Sequence, residues 1–161
     1  MGSGARASAA RVTVRLVPAT KEHLPSIVRI ERESFSDPWS EDAFAGMIGS
    51  PLACFTVAVS DDDAVVGYAA ATGAWEDGEI LSVAVDARFR KAGVGGLLLD
   101  SAIAALKEQL VARVFLEVRE SNSAAIALYT SRGFVRISVR RNYYRRPVEN
   151  ALVMRLDTSS R

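Results

Sequence analysis

Seven β-rich stretches, four helical ones and one strand–helix–strand crossover predict an α/β (α+β) domain. Its sheet is expected to be mixed, mostly antiparallel and seven-stranded, flanked by about four helices. Three observations carry this. Strands come in runs joined by tight turns, which makes antiparallel neighbours. One long helix separates two apolar strands, which makes a parallel pair. A chain of 161 residues, 49% hydrophobic and 24% charged, has the size and composition of one globular domain.

The elements follow in order. Val12 to Val17 alternates and is β-rich. Thr20 caps a helix to about Ser34 that places Leu24, Ile27, Val28 and Ile30 on its buried side. Pro38 breaks the chain at Phe35 to Ser40. Ser40 then caps a short helix, Glu41 to Ile48, with Glu41 and Asp42 in its first turn. Ala53 to Ser60 and Ala64 to Ala74 form a hairpin across Asp61–Asp63. Glu79 to Val85 is the next strand, and Leu97 to Gln109 the long helix. Arg113 to Val118 is nearly all apolar, as expected for a strand buried between neighbours. Ser121–Asn122–Ser123 caps a helix ending at Gly133. Phe134 to Asn142 and Asn150 to Leu156 close the sheet. The domain spans 12–157, with a disordered tail over 1–11 and a short one over 158–161.

Bulk properties exclude several functions. A net charge of +1 gives no general affinity for nucleic acid or membrane. One cysteine (Cys54, expected as a buried small hydrophobe) and one histidine (His23, expected at the surface) preclude an internal disulfide, a Cys-based zinc site and a His-rich metal site. No metal is implied. No apolar run approaches the roughly 18 residues of a membrane span, and the first ten residues contain no apolar signal region. A cytoplasmic location is expected.

Chemistry begins at Arg90–Lys91–Ala92–Gly93–Val94–Gly95–Gly96, between a strand and the long helix. Glycines let the backbone come close to a partner, the helix start offers unpaired N–H groups, and Arg88, Arg90 and Lys91 add charge. Together they make a phosphate cradle. The loop has neither the Gly-Lys-Ser/Thr of a Walker motif nor Gly-x-Gly-x-x-Gly. Arg90-x-x-Gly93-x-Gly95 resembles the pyrophosphate-binding signature of the GCN5-related N-acetyltransferases (GNAT), which bind acetyl-coenzyme A; an ordinary strand–helix turn is the bland alternative. The resemblance implies that the parallel strands splay apart and that the pantetheine arm bonds to the backbone of Val83, Ala84 and Val85.

A second constellation is more specific. Leu116–Glu117–Val118–Arg119–Glu120–Ser121–Asn122 precedes Ala125-x-x-Leu128–Tyr129-x-x-x-Gly133–Phe134. With Phe35-x-x-Pro38–Trp39–Ser40 and Arg140–Arg141–Asn142–Tyr143–Tyr144, it resembles the RimI family over residues 13 to 157. That family acetylates the N-terminal alanine of a small-subunit ribosomal protein. The resemblance implies Glu117 as base, Tyr129 as acid and Asn122 as a coenzyme contact. Trp39, Tyr143 and Tyr144 are candidates for the peptide entry, as aromatics with polar tips suit a partly wet groove.

The residues themselves suit that reaction. An amine attacks a thioester only when neutral. Deprotonating an α-amine at pH 7 costs about 1 kcal/mol, against about 5 for lysine. A positioned carboxylate can take that proton. Tyrosine, near pKa 10, could protonate the departing thiolate at a cost of roughly 2 kcal/mol. Strand alternation turns Glu117 away from Leu116, which leaves an outward-facing glutamate as the competing reading. Glu79, early in the strand before the loop, is the alternative base. Two other functions compete with the N-terminal reading: acetyl transfer to a lysine side chain or small amine, and a catalytically silent acetyl-CoA-binding module. The basic loop Arg145 to Asn150 departs from the RimI pattern and leaves acceptor selection open.

Overall fold

A computed structural model describes residues 12–158. The expected tail over 1–11 and residues 159–161 lie outside the described residues. The elements are β1 Val14–Pro18, α1 Leu24–Ser34, α2 Glu41–Met47, β2 Ala53–Ser60, β3 Val65–Ala74, β4 Asp77–Val85, α3 Val94–Glu108, β5 Arg113–Arg119, α4 Ser123–Ser131, β6 Val135–Tyr144 and β7 Glu149–Asp157. Seven strands form one sheet in the order β1-β2-β3-β4-β5-β7-β6. Every neighbouring pair is antiparallel except β4–β5. The expected fold class is therefore the observed one.

Alternation along the central strands feeds two cores, one on each side of the sheet. Val66, Ala69 and Ala71 pack with α3 (Leu98, Leu99, Leu106) and with Tyr129 and Phe134. Val57, Tyr68 and Ala70 pack with α1 and α2 through Ile27, Ile30 and Phe44. Cys54 is half-buried against the α3 core, where its sulfur accepts a hydrogen bond from Gln109.

Two helix starts differ from expectation. Thr20 caps a short 3-10 turn, Lys21–His23, and α1 proper begins at Leu24, because Pro25 lacks the N–H that only a first turn can spare. α3 begins at Val94, three residues before the expected Leu97, so Gly95 and Gly96 lie within its first turn. Gly93 is the N-cap, at φ 85°, and Val94 is buried, which anchors the earlier start.

One irregularity shapes the functional cleft. In the β3–β4 ladder Ala70 pairs with Ser82 but Ala71 with Ile80, so Leu81 bulges out of register. A bulge bends its strand and increases its twist. β4 pairs with β5 only from Asp77 to Glu79 and then leaves it. The edge of β4 that faces β5 is open from Ile80 onward.

Candidate active site

The opening between β4 and β5 holds a cavity of about 450 Å³. Its floor is Ile80–Val83 and Leu116–Arg119; its walls are the α1–α2 loop (Ser34–Asp37, Trp39), the β6–β7 hairpin (Tyr144, Arg146, Pro147) and α4 (Ala125, Tyr129). A second cavity of about 330 Å³ lies beside it, lined by Thr72, Glu79, Phe115 and Arg140 among others. Leu116 and Glu117 line both.

Glu117 sits in the middle of β5, opposite in face to the buried Leu116 and Val118. Alternation does turn it away from the α3 core, yet that face carries the entry loops rather than bulk solvent. Its side chain is only 21% exposed and pairs with Arg140 Nε at 2.9 Å. Tyr143 donates a hydrogen bond to Glu117, which raises the tyrosine's pKa above the ordinary value, with burial adding to the rise. Glu79 is more exposed and lines only the second cavity. Burial, then the charge of Glu117, raise its pKa above the usual carboxylate range.

Tyr129 is buried on α4 and packs edge-on to Phe134, with ring centroids 5.8 Å apart. It is both a core aromatic and a cavity wall. Burial pushes its phenol up to about 12. Passing its proton to a thiolate of pKa near 8.5 is then uphill by about 5 kcal/mol. That exceeds the 2 expected from an exposed tyrosine and leaves Tyr129 better suited to donate a hydrogen bond to sulfur than to surrender its proton outright.

The cradle fits a phosphate group in part differently from expectation. Leu97 N–H is the first in α3 to reach an intrahelical carbonyl, that of Gly93 at 3.1 Å, so the N–H groups of Val94, Gly95 and Gly96 precede the helix's own hydrogen bonding. Lys91 is exposed beside them. Arg88 is instead committed to Asp86 through Nη2 at 3.1 Å. Arg90 donates to Val85 O at 3.0 Å and Ser34 Oγ at 3.2 Å, tying the end of β4 to α1 and occupying one of the carbonyls expected to meet pantetheine. A Cβ on Gly96 would lie 2.4 Å from Arg132 Nη2, which pairs with Asp100; that glycine makes room for an arginine. Ala92 is exposed in the loop. Asn122 caps α4 by accepting from Ala125 N at 3.2 Å, which leaves its amide NH₂ free to donate into the cavity that it lines.

Trp39 leans on Phe44, with centroids 5.8 Å apart, and Tyr144 lies under the Arg119 guanidinium at 4.4 Å; both line the main cavity. Tyr143 is not in its wall and serves through Glu117 instead.

Glu31 and its partners were not expected. This α1 glutamate is 2% exposed and borders the main cavity. It accepts from the Tyr68 hydroxyl, from Ser82 Oγ at 3.0 Å and from Trp39 N at 3.2 Å. Burial raises its pKa above the usual carboxylate range. The signal was available: Glu31 is four residues after Ile27, on the apolar stripe of α1. Among the described residues no group of His, Cys, Asp or Glu is placed to hold a metal.

The sequence model of the acetyltransferase (GNAT) family matches residues 24–134, and the chain belongs to that family. The ribosomal protein bS18-alanine N-acetyltransferase of Salmonella typhimurium is 36% identical over 138 residues, which cover 84% of this chain and 92% of its own. The Escherichia coli enzyme of the same name is 36% identical over 140 residues, covering 84% and 92%. A crystal structure of the ribosomal-protein-S18-alanine N-acetyltransferase from Escherichia coli superposes with a TM-score of 0.84 at 31% identity, over 92% of this chain and 96% of that one. Ard1 from Thermoplasma volcanium superposes at 0.83 with 28% identity, over 92% and 100%. Within the GNAT family the chain belongs to the RimI family, so the expected family membership is borne out.

Proposed function

We propose that this protein transfers the acetyl group of acetyl-CoA to the N-terminal α-amine of an alanine-initiated protein, a small-subunit ribosomal protein by analogy to its relatives. The observation that carries the reading is the position of Glu117: a sheltered carboxylate at the junction of two cavities, inside the β4–β5 opening and beneath two aromatic-bearing loops.

Acetyl-CoA supplies the acetyl group as a thioester. The α3 start, with Lys91 and the N–H groups of Val94, Gly95 and Gly96, holds its pyrophosphate. Asn122 donates to it from the other side. The open edge of β4, from the Leu81 bulge through Val83 and Ala84, offers backbone groups to the pantetheine arm and N–H donors to the thioester carbonyl. Glu117 accepts a proton from the incoming ammonium, directly or through one water, and so frees the nitrogen lone pair. The amine nitrogen forms its bond to the acetyl carbon as the carbon–sulfur bond breaks; the sulfur, with Tyr129 as hydrogen-bond donor to it, departs as coenzyme A and takes up the second proton lost by the amine. Trp39 and Tyr144 flank the acceptor, and Tyr143, expected beside them, acts through its hydrogen bond to Glu117. The reaction needs no metal and no nucleic acid. Among the described residues no helix is long and apolar enough to cross a membrane; it is the relatives' action on a ribosomal protein that supports a cytoplasmic place of work.

The test is mass spectrometry of peptides incubated with acetyl-CoA. One begins with Ala, one with Ser, one with a bulky residue, and one has an internal lysine as its only amine. Acetylation of the Ala and Ser peptides at their N-termini is expected. Comparable kcat/KM on the lysine peptide, or activity on small amines alone, would transfer the assignment to the competing acceptor class.

A further inference from the structure

Arg119 ends β5, two residues beyond Glu117 and on the same face. Its guanidinium spans the mouth of the main cavity. Nη2 donates to Ser36 Oγ at 2.8 Å, on the α1–α2 loop, and to Arg145 O at 3.0 Å. Nη1 donates to Pro147 O at 3.1 Å and Glu149 Oε1 at 3.1 Å, on the β6–β7 hairpin. The same group stacks over the Tyr144 ring. Glu149 is shared: its Oε2 accepts from Ser121 N at 2.6 Å, next to Asn122. The pair is sheltered, with side chains 20% and 17% exposed, unlike an ordinary surface ion pair.

We propose that Arg119 is a positioning residue for the acceptor, clasping the two entry loops to one another so that they form a single groove above Glu117. The assignment rests on the N-terminal acceptor reading. The α1–α2 loop and the β6–β7 hairpin are more than a hundred residues apart in sequence and furnish opposite walls, Trp39 on one and Tyr144 on the other. A hairpin brace alone would need no bond to Ser36. A planar fork reaches acceptors on both walls at once, whereas an ammonium is a single point charge on a flexible stem. Releasing the clasp loosens the groove and leaves Glu117, Tyr129 and the α3 cradle in place.

The experiment compares the unaltered protein with Arg119→Gln, Arg119→Lys and Ser36→Ala, using an alanine-initiated peptide and acetyl-CoA. Arg119→Gln should raise the peptide KM about tenfold, the weight of roughly one charge-assisted hydrogen bond, with kcat within about threefold. Calorimetry should find acetyl-CoA affinity unmoved. Arg119→Lys should recover part of the loss. Ser36→Ala should raise KM less, and add nothing in the Arg119→Gln background, because both changes remove the same bond. An unmoved peptide KM in folded Arg119→Gln overturns the clasp, as does a fall in kcat alone or full additivity with Ser36→Ala. Should Arg119→Gln fail to fold, the Ser36→Ala variant decides by itself: an unchanged KM overturns the proposal. An unaltered protein inactive on every peptide N-terminus sinks the acceptor reading and the clasp with it; an active protein whose KM ignores Arg119 sinks only the clasp.

Discussion

Two glutamates reach the acceptor side of the sheet, and their surroundings rank them. Glu117 lines both cavities and is held by Arg140 and Tyr143. Glu79 borders one cavity and is lifted by burial and by the charge of Glu117. Glu117→Gln should therefore lower kcat/KM by roughly 10²–10⁴, the usual weight of a positioned base, with acetyl-CoA affinity retained. Glu79→Gln should cost less than about tenfold. Steady-state kinetics on one N-terminal peptide decides, and a reversed ranking moves the base to Glu79. Tyr129→Phe removes the donor to sulfur and should lower kcat by about 10²-fold, as loss of one preorganised donor does elsewhere. Wild-type turnover in that variant would leave Tyr129 as a core aromatic only. Glu117 and Tyr129 could be named as candidates from the sequence because the stretch whose resemblance implies them is local. Arg140 as partner of Glu117 could not, since a salt bridge across β5, β7 and β6 leaves no mark at either position.

At the scale of elements, α3 shows how a tertiary contact overrides propensity. Three glycines in four positions argue for loop, each costing a helix about 1 kcal/mol. The helix nevertheless starts at Val94, because Gly93 takes the left-handed conformation and Val94 is buried beneath it. Gly93→Val forces a β-branched residue to φ 85°, a strain of roughly 1–3 kcal/mol, although its Cβ would meet no protein atom. Calorimetric titration should show acetyl-CoA binding at least about tenfold weaker. Full affinity in this variant would remove the loop from the coenzyme site. The boundaries of β2, between a proline and an acidic turn, were legible to the residue for a complementary reason: its punctuation is local.

At the scale of the molecule, Asp86 joins the end of β4 to α1. It is 3% exposed, pairs with Arg88 and Arg29, and the Arg88 hydrogen bond foremost holds its carboxyl down at about 2. A pKa lowered on folding stabilises the native state above the unfolded value, near 3.9, and this contribution fades as pH falls toward 2. Asp86→Asn should destabilise by roughly 1–2 kcal/mol at pH 7, after allowance for the exposed Arg88, and this difference should shrink between about pH 4 and pH 2. Denaturant titrations across that window measure it; a difference that stays constant with pH would refute the role. The sequence by itself determined the order of elements, the fold class, the family and the motif residues of the cleft. The first two are written in periodicity and turn chemistry; the family and the motif residues come from the resemblance of short stretches to a known family. Only the tertiary structure decided what the face bearing Glu117 looks onto, that burial lifts the Tyr129 phenol, that Arg90 reaches Ser34 on α1, and that Glu31 and Arg119 bond to the entry loops. These depend on burial and on partners brought in from distant strands and loops, and neither exists until the sheet has closed around the Leu81 bulge.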